Sequence, residues 1–233
     1  MGKIDLIKRN INEIYKTLKN TYPKEGHWWP TTDIKTTQTE YMVEGDEKDN
    51  QQFEIIMGTI LTQNTTWTSV DKALKNLSKH TNFNAKSIVK FIDDDPDLFK
   101  NLIKPTGYFN QKTIYLKNVA DFYISLEGRT PTRKEVLSVK GVGNETADSI
   151  LLYAYNEKEF VVDAYTKRIF SYLGYVDENV TYLKLKKLFE DNFEGDVKDY
   201  EDYHGLIVEH AKLYYRNRPY GVKDDILAKY KLK

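Results

Sequence analysis

The sequence predicts an all-α protein, and three observations lead there. Apolar residues recur at helical spacing through most of the chain, in stretches long enough for helices and with no sustained alternation. Between Thr130 and Phe170, the run Gly141-Val142-Gly143 divides two such stretches, as a turn between helices would. Side-chain oxygens stand where N-caps belong, and Thr132 with Glu135 is spaced as a capping box.

Ile4, Ile7, Ile11, Ile14, Tyr15 and Leu18 mark a first helix, ended by Tyr22-Pro23-Lys24-Glu25-Gly26. The irregular segment His27-Trp28-Trp29-Pro30 follows, and tryptophans in such a place read first as packing anchors. Thr31 to Gln52 is polar, acidic in its later half and without periodicity, so it reads as a long surface insertion with a short hairpin around Tyr41-Met42-Val43. The pattern turns helical again from Phe53 through Thr65. Thr65 or Thr66 then caps a helix carrying Trp67, Val70, Ala73, Leu74 and Leu77.

Short helices are expected over Ala85 to Phe91 and Asp97 to Ile103, with Pro96 suited to a first turn. Lys104-Pro105-Thr106-Gly107-Tyr108 is a turn. A long amphipathic helix follows from Asn110 to Leu126, with Ile114, Leu116, Val119, Phe122 and Tyr123 on its apolar side.

The central stretch opens with a short helix carrying Val136 and Leu137. After the glycine turn, Asn144 caps a second helix over Thr146 to Tyr155, burying Ala147, Ile150, Leu151 and Ala154. Turn amides and the second helix's N-terminus together suit an anion such as a phosphate. Phe160-Val161-Val162 is a buried apolar run, and Asp163 is the N-cap of a helix reaching Phe170. Two more helices, Tyr182 to Phe193 and Asp202 to Tyr215, complete the pass.

Composition sets limits. A chain of 233 residues suits one domain or two small ones. It has no cysteine, which excludes disulfides and every thiolate metal site, iron–sulfur clusters included. Of the four histidines only His204, with Glu209 or His210, comes near a zinc-ligand spacing, and no zinc is expected. Basic and acidic residues balance at zero formal charge, so a nucleic-acid partner would need a local basic face. There is no apolar run of about eighteen residues and no signal peptide, so no membrane role is expected and the protein is placed in the cytoplasm or nucleoid.

Gly141-Val142-Gly143 with Thr146-Ala147-Asp148, followed by Val162-Asp163-Ala164 and Arg168, resembles the helix-hairpin-helix DNA glycosylases of the endonuclease III superfamily. The string F-E-x-x-x-G-x-I-L-T-Q-N-T from Phe53 to Thr65 resembles the same family, as does Pro105-Thr106-Gly107-Tyr108-Phe109-Asn110-Gln111-Lys112. The resemblance implies a bilobed fold. Residues 50–157 would form a six-helix-barrel lobe holding the helix-hairpin-helix at about 131–155, and residues 1–49 with 158–233 a second helical lobe, Asp163 lying at the seam.

It also implies double-stranded DNA with a damaged base as partner, met by a monomer. Asp163 would be the catalytic carboxylate, and Gln63 would reach into the base stack. The hairpin amides at Gly141, Val142 and Gly143 would hold a phosphate, with Lys140, Lys167 and Arg168 adding charge. No cofactor is expected beyond a monovalent cation at the hairpin, on the backbone carbonyls of Leu137, Val139 and Val142. Bifunctional members carry a nucleophilic lysine where Glu145 stands; glutamate cannot form a Schiff base, so strand cleavage should be absent.

Trp28-Trp29-Pro30 and Trp67, with the lysine absent, are most similar to the 3-methyladenine glycosylases of this fold. There the matching aromatics line the damaged-base pocket, and Lys212, matching a lysine of that branch on the last helix, is a further pocket candidate that reads first as a surface lysine, with a buried pairing group or an amine that takes up carbon dioxide as alternatives. A uracil or thymine mismatch glycosylase, and a non-catalytic helix-hairpin-helix module, stay open as alternatives.

Overall fold

The computed structural model describes residues 2–22, 29–33, 38–41 and 48–232. Among them the chain is helical apart from one two-stranded ribbon, which is the expected all-α class. The elements are α1 (Lys3–Thr21), β1 (Pro30–Asp33), β2 (Gln38–Tyr41), α2 (Lys48–Leu61), α3 (Trp67–Leu77), α4 (Ala85–Asp94), α5 (Pro96–Ile103), α6 (Phe109–Ser125), α7 (Arg133–Ser138), α8 (Asn144–Ser149), α9 (Ala164–Tyr172), α10 (Tyr182–Asn192) and α11 (Val197–Tyr214). α8 runs on without a break into a π-helical turn, Ile150–Ala154.

Contacts divide the chain into two units, Met1–Glu25 with Glu157–Lys233, and Gly26–Asn156. The sequence grouped residues 26–49 with the terminal lobe; the described residues among them, 29–33, 38–41 and 48–49, group with the central helices instead. The physical reason is local. β1 packs on α2, and Trp29 lies so close to Gly58 that a Cβ there would stand 2.7 Å from its indole nitrogen.

In the terminal unit, α11 packs on α1 and α9, and α10 on α1. Aromatic rings fill the space between them: Phe160 stacks on Phe189 with centroids 4.1 Å apart, and Tyr203, fully buried, donates its hydroxyl to Ile11 O at 2.9 Å. In the central unit α6 runs against α2, α4 and α5, burying Leu116, Val119 and Ala120.

Several expectations shift. α2 starts at Lys48, so the last part of the expected insertion is helix; its first turns are too polar to show a period. β1 pairs with β2 in an antiparallel register, Pro30 opposite Tyr41, while Met42 and Val43 lie outside the described residues. α11 begins at Val197 and not near Asp202, because Asp196 and Asp199 form a reciprocal cap that the apolar pattern does not reveal. Ile4 and Ile114, placed on apolar faces by their spacing, are more than half exposed.

Candidate functional site

The hairpin is built as its sequence suggests, with tighter bracing. Thr132 and Glu135 form the capping box: Glu135 Oε2 accepts the Thr132 amide at 2.7 Å, and Arg129 reaches both carboxylate oxygens. The Arg129 and Thr132 hydrogen bonds hold the Glu135 carboxyl down at about 2. Arg133 grips Asp148 through Nε and Nη2, at 2.6 and 3.1 Å, and donates to Asn144 at 2.8 Å, locking α7 to α8. Asp148 is fully buried, and beyond its place in the motif nothing in the residue pattern signals this clamp.

Gly141 adopts φ 106°, and a Cβ there would fall 2.3 Å from the Tyr115 ring on α6, so only glycine fits. Gly143, not Asn144, is the N-cap, and the space around it is open. The Val142 amide already donates to Val139 O at 3.1 Å, which removes it from the expected anion donors. That bond takes one lone pair of the Val139 carbonyl and leaves the other, so the neutral oxygens of Leu137, Val139 and Val142 fit a monovalent cation as a donor set. Lys140 is exposed.

Gln63 has a different occupation from the one its motif implies. Its side-chain amide donates to Gly141 O at 3.0 Å and to Thr146 Oγ1 at 3.1 Å, tying the α2–α3 turn to the hairpin. The next residue, Asn64, is in a left-handed conformation (φ 55°), and this turn presents it to solvent together with Thr66.

Asp163 caps α9 as predicted. Its Oδ1 accepts the Thr166 amide at 2.7 Å and the Thr166 hydroxyl at 2.8 Å, while that hydroxyl accepts the Asp163 amide at 3.3 Å. Among the described residues no hydrogen bond reaches Oδ2, and the residue is half-buried. The strand-like approach to it is pinned by Lys186, a buried ammonium paired with Glu159 and Glu190; Glu190 also accepts the Phe160 amide at 3.2 Å. His204 of α11 is buried nearby in charge terms: burial holds its imidazole below the usual value, with the Asp163 charge opposing.

The aromatic residues come together in part. Trp29 and Trp67 meet edge to face at 5.3 Å and 90°, and Tyr153 lies 5.4 Å from Trp29. Perpendicular rings at that spacing leave no room for a base between them. Trp29 and Pro30 are buried and Trp67 is half-buried; Trp28 lies outside the described residues.

Two expected site residues are engaged elsewhere. Lys212 is half-exposed and paired with Glu209 at 2.5 Å, so it is a surface lysine here and not a buried pocket group. Arg168 donates to Tyr215 O at 3.1 Å and lies over the Tyr165 and Tyr220 rings, which commits its guanidinium to the end of α11. Lys167 is half-buried. Among the described residues no cluster of histidine, aspartate and glutamate could hold a metal, and no helix is long and apolar enough to cross a membrane.

A helix-hairpin-helix followed by a carboxylate capping the next helix defines a class, and the comparisons agree. Residues 57–194, more than half the chain, match the HhH-GPD superfamily base excision DNA repair protein family, and the chain belongs to it. It is a DNA glycosylase of base excision repair, a hydrolase of N-glycosyl bonds that acts on DNA. Its sequence is 41% identical to a Methanocaldococcus jannaschii protein provisionally named a DNA repair glycosylase, over 89% of this chain and 90% of that one. Among solved structures it is similar to the H. pylori 3-methyladenine DNA glycosylase bound to 1,N6-ethenoadenine, at 26% identity and TM-score 0.64, covering 86% of this chain and 96% of the other. A thermostable thymine-DNA glycosylase shares the fold at 22% identity and TM-score 0.67, covering 93% and 90%.

Proposed function

We propose that this protein is a monofunctional glycosylase that removes alkylated purines such as 3-methyladenine, with water as the nucleophile. The observation that carries the choice of base is the Trp29–Trp67–Tyr153 cluster, supported by the similarity to the H. pylori 3-methyladenine enzyme. An alkylated purine carries positive charge, and an electron-rich face attracts a flat cation over its neutral parent by about 0.5–2 kcal/mol. Since Trp29 is covered, the half-buried face of Trp67 is the surface offered to the base.

Asp163 supplies the chemistry. Oδ1 is fixed by the Thr166 amide and hydroxyl, which orients the carboxylate and leaves Oδ2 to stabilise the oxocarbenium-like sugar or to orient water. Glu145, exposed in the first turn of α8, offers no amine for attack on the sugar. Extruding a base costs a few kcal/mol of stacking, offset in part by a side chain filling the gap. With Gln63 committed to the hairpin, Asn64 is our candidate for that filling. The amides of Gly141 and Gly143, with Lys140, face a DNA phosphate. A monovalent cation on the Leu137, Val139 and Val142 carbonyls would add positive charge beside that phosphate.

The test is base release from a panel of duplexes. The expected result is release of 3-methyladenine and none of uracil or thymine from mismatches with guanine. Release of only those pyrimidines would replace the alkylpurine assignment with the mismatch one. Binding with no release from any duplex would favour a non-catalytic module.

A further inference from the structure

Lys112 is one of two buried lysines among the described residues, and no carboxylate among them pairs with it. It lies on α6, 2% exposed, and its ammonium donates to Leu61 O at 2.7 Å and to Thr106 O at 2.8 Å. Leu61 is the last residue of α2, and Thr106 ends the short 3₁₀ turn Lys104–Thr106. One cation thus caps two helix C-termini, where carbonyls lack intrahelical partners and the dipole favours positive charge. Burial costs the charged form, and it pushes the amine down to about 8. A group held at that cost is holding something.

What it holds are two turns that leave the protein in strained backbone. Immediately past Leu61 comes the turn with Asn64, exposed at φ 55°. Immediately past Thr106 come Gly107 at φ 67° and Tyr108 at φ 46°, the latter 73% exposed. Left-handed conformations in side-chain-bearing residues persist where the surroundings over-determine them. The first turn is also fastened from its other side, by Gln63 to the hairpin carbonyl of Gly141.

Resting on the glycosylase proposal above, we propose that Lys112 is a positioning residue for base extrusion: its ammonium locks the Asn64 turn to the Tyr108 turn, so that both side chains meet the duplex at a fixed spacing. Lys112 touches neither DNA nor the reacting atoms. Its effect is confined to the step in which a paired base leaves the stack, since a wedge held loosely opposes re-stacking less well.

That step can be isolated by the substrate. A base in a single-nucleotide bulge is already unpaired and costs less to extrude than one in a complete duplex. Lys112→Met keeps the length of the stem and removes both hydrogen bonds. In single-turnover base release, it should slow the paired substrate by about tenfold or more, with duplex affinity within about threefold of wild type and little loss on the bulged substrate. Lys117→Met, on the exposed side of α6, should leave both substrates near wild type.

Equal loss on both substrates would reduce Lys112 to a structural role, and no loss on the paired one would overturn the proposal. Amide hydrogen exchange separates these failures from a failure of the glycosylase assignment. Faster exchange in residues 62–66 and 106–108 of the Met variant is required whatever the activity, and unchanged exchange in both turns refutes the lock. Should the Met variant not fold, Lys112→Gln keeps an uncharged amide donor on a shorter stem, and the same comparison applies.

Discussion

Replacing Asp163 by asparagine removes a charge while leaving a cap in place. The amide oxygen of asparagine can accept the Thr166 amide and hydroxyl as Oδ1 does now, at 2.7 and 2.8 Å. Asparagine and aspartate cap equally well, so the variant should melt within a degree or two of wild type, about half a kcal/mol at most. Alanine loses the cap as well, at about 1 kcal/mol, which is roughly 2–4 °C for a chain of this size. Catalysis should respond very differently. A full negative charge about 4 Å from the developing oxocarbenium, at an effective dielectric of about 20, is worth roughly 4 kcal/mol. That corresponds to about a thousandfold in rate. The assay is single-turnover release of 3-methyladenine from duplex, beside a thermal melt and a binding isotherm. Asp163→Asn should lose about three orders of magnitude in release, while binding damaged duplex within about tenfold of wild type. An Asn variant that melts like wild type and still releases base at the wild-type rate would remove Asp163 from the chemistry and leave it a helix cap.

Asp224 is the hub of the C-terminal segment, accepting from His210 Nε2, Tyr215 Oη and the amides of Ile226 and Leu227 at 2.7–3.1 Å. Asp224→Ala strands four donors and should cost about 4 kcal/mol, lowering the melting temperature by roughly 8–16 °C; an unchanged melt would contradict the assigned network. The Glu135 carboxyl is depressed when folded, so its contribution is present above the ordinary carboxylate value of 4.5 and fades as pH falls toward about 2. Glu135→Gln should therefore flatten the acid limb of the stability curve in that window, as read by melts from neutral to acid pH, and an unaltered limb would show the cap to be silent. Trp67→Ala, confirmed folded, should lose alkylpurine release by roughly tenfold; full activity would return Trp67 to the core.

What the sequence revealed was local, and what it hid was long-range. The Thr132–Glu135 box and the Asp163 cap are legible because both partners stand three positions apart. Gln63 misleads because the carbonyl that captures its amide is 78 positions away. Arg168, expected at a phosphate, and Lys112, given no role, are illegible for a related reason: only packing reveals the carbonyls of Tyr215, Leu61 and Thr106 that their cations meet. The boundary near Gly26 was hidden because an indole resting on Gly58 leaves no periodic trace. Trp29 and Trp67 did fall together, edge to face, which makes Trp29 a wall beside Trp67 and not its stacking partner.

Strand scission on a single alkylated duplex, scored against base released, separates a hydrolytic glycosylase from a lyase more directly than any other measurement. Both products are followed in one time course, without heat or alkali, and a parallel sample is treated with borohydride. With Glu145 in place of an amine, free 3-methyladenine should accumulate while the strand stays whole and no protein–DNA adduct is trapped. Nicks appearing in step with the released base, together with a trapped adduct lost on replacing Lys140 or Lys167, would contradict hydrolysis by water at Asp163.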